Sequence, residues 1–205
     1  MLIAPLVWHK PVNGSQIMFK ALFDKFKRPA DPRIVHSAIV ERAREPAFYR
    51  DIGVPDTFDG RYEMMIMHLY LVLERFKTEP DYAEFSQFVF DTFIDDISIG
   101  LREAGVGDTV VPKRLQKMTR VFYGRVKAWD TAFADENPAG ALTDVLLRNM
   151  FEKADESEEL TSRRLAHYMI AERESLKSLS ADELTRNVRP FRTSLEPSDL
   201  DQSNV

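Results

Sequence analysis

The chain of 205 residues is 44% hydrophobic and 30% charged, a balance that supplies one core and excludes a chain disordered throughout. Its net charge of -5 excludes a general nucleic-acid binder, because phosphate binding is driven by Lys and Arg displacing counterions; a local basic patch stays open, and specific DNA is not an expected partner. With no cysteine there is no disulfide framework, thiolate metal site or cysteine nucleophile, which fits a reducing compartment and makes the cytoplasm the simplest location.

Met1 to Gln16 carries Pro5, Pro11, Asn13 and Gly14 without a period, so residues 1–16 read as a loose extension. Its apolar start is broken by Pro5 and lacks both a basic lead and a small-residue cleavage site, so no signal peptide is expected. Translation is expected to begin at Met18, because Phe19 to Arg28 has the pattern of a short amphipathic basic helix. Asp31-Pro32 is a cap followed by proline at the first helical position, and predicts a helix to about Arg44 with Ile34, Ala38 and Ile39 facing inward.

After a loop from Pro46 to Pro55, Asp56 or Thr57 caps a helix to about Lys77. Tyr62, Met65, Ile66, Leu69, Val72, Leu73 and Phe76 form one stripe of it, while Met64, Met67 and Leu71 cover the opposite side; a helix apolar all round is central. Its most apolar run, Met64 to Leu73, is far shorter than the roughly 20 residues of a membrane-spanning helix.

Pro80 breaks the chain, and Asp81-Tyr82-Ala83-Glu84 has the spacing of a capping box, predicting a helix to about Ala104. At about 100° per residue, Phe90, Phe93, Ile94, Ile97 and Leu101 make a core stripe and Asp91, Asp95, Ser98 and Arg102 a polar one. Phe85, Val89 and Asp96 lie on a third side, so this helix meets two neighbours, or meets one and shows an apolar strip. Gly105 supplies a left-handed stop, and Pro112 opens the next helix, which reaches about Asp135. Leu115, Met118, Phe122, Val126, Trp129 and Phe133 line its inner face, and Lys113, Lys117, Arg120 and Lys127 cluster outside around Gly124.

Asn137-Pro138 caps a helix to Phe151, and Ser157 caps a last long one through Leu165, Tyr168, Met169, Leu176 and Leu179. Residues 181–205 are polar, with Pro190 and Pro197, and read as a disordered tail. No strand alternation or internal repeat is visible. The expected fold is all-α, a single-domain bundle of about six helices over residues 17–180 with flexible N- and C-terminal extensions.

Convergent chemistry is sparse. Asp91, Asp95 and Asp96 are loosely like the paired aspartates with which helical prenyl-transferring enzymes hold Mg²⁺ and diphosphate, but no second aspartate-rich helix faces them, and a solvated face accounts for Asp91 and Asp95 better. Asp96 beside Phe85 and Val89 is costly to bury unpaired, so an Arg or Lys answers it or it faces a partner. His68 lacks helical metal-ligand spacing and reads as a core histidine, while His36 and His167 are isolated. No nucleophile turn or dinucleotide loop is present. No cofactor or metal is expected, and binding rather than catalysis is the expected role. Met64, Met65 and Met67 read as core filling, with flexible thioethers that suit a hydrophobic client helix if part of the cluster is reachable. The four basic residues read as a solvated face, or as a dock for ribosomal RNA, anionic lipid or an acidic helix.

The block from Glu45 to Met64, EPAFYRDIGVPDTFDGRYEM, resembles the opening block of the ubiquinol–cytochrome c chaperone family. The likeness continues through Phe93-Ile94-Asp95-Asp96, Leu101 to Asp108, Val111 to Met118 and Phe122-Tyr123-Gly124-Arg125, and covers about residues 33–151. It implies an assembly factor for the cytochrome bc1 complex that receives newly made cytochrome b, pairs with a small assembly partner and sits near the ribosome. No catalytic residues come with it. The chain lacks the mitochondrial presequence, which implies a bacterial protein at the cytoplasmic face of the inner membrane. On this reading Phe48, Tyr49, Met64, Met67, Phe85, Val89 and Asp96 form the client side, and Lys113, Lys117, Arg120 and Lys127 dock to ribosome or lipid. The rival readings are a Mg²⁺-dependent enzyme acting on an isoprenoid diphosphate and a stable structural subunit of a membrane complex.

Overall fold

Helix starts are written locally, and most of them form where the capping residues stand. The computed structural model describes residues 31–151, 155–186 and 190–192, and over them the chain is all-α without a strand. Asp31 accepts the Arg33 N–H at 2.9 Å to open α1 (Pro32–Ala43). A π-helical turn (Phe48–Ile52) leads to α2 (Phe58–Phe76), whose cap, Thr57, accepts the Gly60 N–H at 3.1 Å. α3 (Ala83–Glu103), α4 (Val111–Phe133), α5 (Pro138–Met150), α6 (Glu156–Ser178) and α7 (Ala181–Arg186) follow. The expected extension 1–16, the expected start at Met18 and its basic helix lie outside the described residues.

Several details differ from expectation. The capping box at Asp81 does not form; Pro80–Tyr82 is a 3₁₀ turn, and α3 starts without a side-chain cap. At α6 the cap is Asp155 rather than Ser157, in a capping box with Glu158 that needed only a carboxylate three residues on. Ile34 is half-buried, and α1 turns Val35, Ala38, Ile39 and Arg42 inward instead. The start of the expected tail is ordered: α7 buries Ala181 and Leu184, and Phe191 is buried beyond it. These few apolar side chains dock on a preformed surface that average polarity hides.

α2 is the axis, as its all-round apolarity predicts. α1, α3, α5 and α6 pack on it, and side chains tie it to α4. Gly60 fits its first turn because a methyl there would overlap the carbonyl oxygen of Pro55. α3 packs against three helices, α1, α2 and α4, one more than the two neighbours expected, and Val89 is fully buried. Gly105, at φ +80, closes α3 by donating to the Arg102 carbonyl at 2.9 Å, and the Val106 N–H reaches the Leu101 carbonyl at 3.0 Å.

Polar groups at the centre form one connected hub. His68, fully buried on α2, donates from Nδ1 to the Met64 carbonyl at 2.7 Å, which leaves Nε2 to accept from the Tyr168 hydroxyl of α6 at 2.7 Å. Arg42 of α1 donates to the same hydroxyl at 3.1 Å and pairs with Glu45. Phe48 and Phe191 meet the imidazole edge-on at 5.5 and 5.2 Å. Buried Glu172 accepts from the Arg192 backbone and from its guanidinium, both at 3.1 Å. Burial pushes the His68 imidazole down to about 3, so it is neutral in the fold.

A histidine held neutral stabilises fully above its unfolded value near 6.5, and that contribution drains away as pH falls towards 3. Between pH 6.5 and 4.5 the wild-type chain should lose about 2 kcal/mol more stability than His68→Gln, which still offers Tyr168 an acceptor. Denaturant unfolding at the two pH values reads this difference; equal losses would contradict the neutral imidazole.

Candidate partner-binding face

Most residues expected on a client side are occupied inside the bundle. Phe48, Met64, Met67 and Val89 have no exposed surface. Phe48 packs edge-on against both His68 and Tyr168, and Met64 supplies the carbonyl that orients His68. Tyr49 donates to the Ala43 carbonyl at 2.6 Å and lies under the Arg61 guanidinium, while Phe85 is half-buried edge-on against Phe76 and Tyr82. Among the described residues neither Arg nor Lys answers Asp96: His36 Nε2 of α1 stands 3.9 Å away, and the carboxylate keeps 45% of its side-chain surface, so the expected desolvation is not incurred. Burial outweighs this carboxylate at His36 and lowers its affinity for a proton.

The basic stripe forms as its spacing requires. Lys113, Lys117, Arg120 and Lys127 are all exposed, with Gly124 bare among them, and they fall within one outer strip because steps of three and four residues return to the same side of a helix. None of the four forms an ion pair with a described residue. α4 is oriented by its opposite side. Arg125 forks onto Glu63 of α2 at 2.7 to 3.2 Å and reaches the Asn149 carbonyl of α5 at 3.2 Å, and Tyr62 donates to the Met118 carbonyl at 2.8 Å. A buried bidentate pair fixes the rotation of a helix more tightly than greasy contacts do.

α3, beside α4, has the opposite character. It carries Glu84, Asp91, Asp95, Asp96 and Glu103 against one cation, Arg102, which pairs with Asp108 at 3.2 Å. On its outward side Phe88 and Ile99 are 51% and 54% exposed. Where α3 ends, a groove of about 420 Å³ opens between Phe58, Leu101, Val106, Val110 and Arg114. Phe58 and Val110 at its lip are 62% and 43% exposed.

These exposed apolar residues were missed in the sequence, although a signal existed. Phe88 and Ile99 are eleven residues apart, three turns, and share a strip with Asp95 opposite the Phe93 and Ile97 core stripe. Asp91 accepts from Gln87 one turn earlier at 2.8 Å, and Asp95 faces outward. Among the described residues, no three acidic or histidine side chains gather as a metal site would require, and no helix is long and apolar enough to cross a membrane.

Three comparisons bear on what such a face does. The model of a family described as Ubiquinol-cytochrome C chaperone matches residues 50–190, reaching through α6 and α7 beyond the blocks legible by eye. In fold, the chain is similar to the crystal structure of the Cbp3 homolog from Brucella abortus, at 34% identity and a TM-score of 0.70, covering 91% of this chain and 99% of that one. In sequence it is similar to ubiquinol-cytochrome c reductase complex assembly factor 1 of Mus musculus, 22% identical over 79% of this chain, and to its counterpart in Xenopus laevis, 20% identical over 79%. The chain spans about half the length of the mouse protein, 54%, and 80% of the frog one.

The anchoring of α4 can be separated from its outer charge. Arg125→Ala leaves Glu63 buried and unpaired and should cost about 3 kcal/mol in chemical denaturation, whereas Lys127→Ala should change stability by no more than about 0.5 kcal/mol.

Proposed function

The chain belongs to the ubiquinol-cytochrome C chaperone family, and from that premise we propose that it is an assembly chaperone for the cytochrome bc1 complex, binding newly made cytochrome b and catalysing no reaction. The observation that carries this reading is the set of large apolar side chains left open on and beside α3, namely Phe58, Phe88, Ile99 and Val110, on a bundle whose other large apolar residues are mostly packed away. Scattered apolar residues are ordinary on a surface, but Phe88 and Ile99 share one outward strip of α3, and Phe58 and Val110 line the groove where that helix ends, two apolar openings on one helix that suit a protein sheltering apolar segments. Phe85 and Asp96 keep part of their surface at the edge of that flank and stay with it as client contacts. Phe48, Met64, Met67 and Val89 support it from within, and Tyr49 does so half-buried.

The basic stripe of α4 supplies the second half of the role. Lys113, Lys117, Arg120 and Lys127 hold the bundle at the anionic cytoplasmic face of the inner membrane, where each cation near the surface contributes about 1 kcal/mol. A chaperone docked there meets its client as the client inserts.

Both halves are testable in cells and in vitro. A strain lacking the chain should accumulate much less mature bc1 complex while cytochrome b is still translated; normal amounts of complex would refute the assembly role. Replacing the four basic residues together by Glu should abolish co-sedimentation with vesicles containing anionic lipid at moderate salt. Association that is unchanged, or that persists with neutral vesicles or purified ribosomes alone, would reject membrane docking through α4.

A further inference from the structure

The pairing of an acidic, apolar-studded helix with a basic one assigns different partners to the two. We propose that the outward strip of α3, built on Phe88 and Ile99 and rimmed by Glu84, Asp91, Asp95 and Glu103, binds a helical segment that is apolar along its length and carries Lys or Arg at one end. This rests on the chaperone reading and names the chemistry of the client and the surface that takes it.

Geometry sets the first requirement. Phe88 and Ile99 stand three turns apart, about 16 Å along the helix, and each leaves half of its surface open. An extended helical face laid along α3 covers both at once, and a single small molecule does not. Charge sets the second. Glu84, Asp91, Asp95 and Glu103 are exposed and pair with no cation among the described residues, while Arg102 is engaged by Asp108. Two neighbouring helices of opposite sign leave these carboxylates unneutralised, since no ion pair joins α3 to α4. A partner bearing cations beside an apolar stretch therefore gains on both counts. The cytoplasmic ends of membrane-spanning segments have this composition, because Lys and Arg accumulate in the flanks that stay on that side.

The basic stripe of α4 gives the complex a direction. A Lys-rich flank is repelled by Lys113, Lys117, Arg120 and Lys127 and drawn to α3, so the client's basic end lies on the α3 side while α4 keeps its cations for an anionic surface. A second copy of this chain fits less well. The outer strip of α4 could answer the acidic rim of α3, but it carries Gly124 among its cations, and the exposed aromatic beside it, Tyr123, already packs against Phe90 and Phe122.

The test uses the full chain and two synthetic helix-forming peptides with the same Leu- and Phe-rich stretch, one flanked by Lys and the other by Glu. Fluorescence anisotropy should show the Lys-flanked peptide binding at least tenfold more tightly, with affinity falling as salt rises. Phe88→Ser with Ile99→Ser should weaken both peptides about tenfold. Asp95→Lys with Glu103→Lys should reverse the preference between them. All four positions are exposed, and unchanged circular dichroism melting confirms that the variants fold.

Equal binding of the two peptides, or binding that survives the Phe88 and Ile99 changes, would overturn the assignment. So would a concentration-dependent dimer, seen in sedimentation, that disappears with Phe88→Ser and Ile99→Ser. The double serine variant, returned to the deletion strain, separates this inference from the broader one. If it loses peptide binding in vitro yet restores full bc1 complex, the α3 assignment fails and the assembly role stands. If deletion itself leaves the complex at normal levels, the assembly role fails first.

Discussion

A neutral imidazole at the centre of the bundle is the constraint on which the rest of the structure depends. His68 can be neutral only if one nitrogen donates and the other accepts, and the fold provides both, the Met64 carbonyl on its own helix and the Tyr168 hydroxyl on α6. The Tyr168 hydroxyl in turn accepts from Arg42, so three helices are joined through two side-chain oxygen and nitrogen contacts that water cannot reach. Burial raises the proton affinity of the Tyr168 phenol far above its ordinary range and lowers that of the imidazole, which keeps the donor and acceptor roles fixed. Phe48 and Phe191 close the hub from two sides, so the loop before α2 and the segment after α7 are held by the same group.

That economy explains why the exposed flank can be chemically extreme. With the interior joined by the hub and by the Glu63–Arg125 fork, α3 and α4 are positioned from within and need no contacts across their outer faces. Their surface side chains are free to be mainly acidic on one helix and mainly basic on the next. Among the described residues no ion pair joins the two helices, so both strips keep their charge for partners. The result is a flank with apolar side chains, a carboxylate rim and a separate cationic strip, which suits a protein that handles an apolar segment near an anionic surface.

The family relation and the fold agree with one another. The matched region runs from within the π-helical turn to the residue before Phe191 and so contains α2 to α7, which carry His68 and Tyr168 of the hub, the Glu63–Arg125 fork and both outer strips, while Arg42, Phe48 and Phe191 lie just outside it. The glycine that fits beneath Pro55 and the one that stops α3 both lie in blocks whose likeness to the family is visible in the sequence, and each is required by backbone geometry rather than by contact with a partner.

Sequence by itself determined the helical class, the central place of α2, most helix boundaries and the basic strip of α4, because periodicity and capping act within a few residues and need no knowledge of neighbours. It also determined that His68 is a core residue. Only the tertiary structure decided which apolar residues remain open: Phe48, Met64, Met67 and Val89 went inside, and Phe88, Ile99, Phe58 and Val110 stayed out. Apolarity states that a side chain gains from being covered, but which side of an amphipathic helix is covered depends on how many neighbours it meets. For α3 that number is fixed by α1 and α4, which reach it across the fold, and the ordered segment at Phe191 likewise exists only because His68 and Tyr168 were already there to receive it.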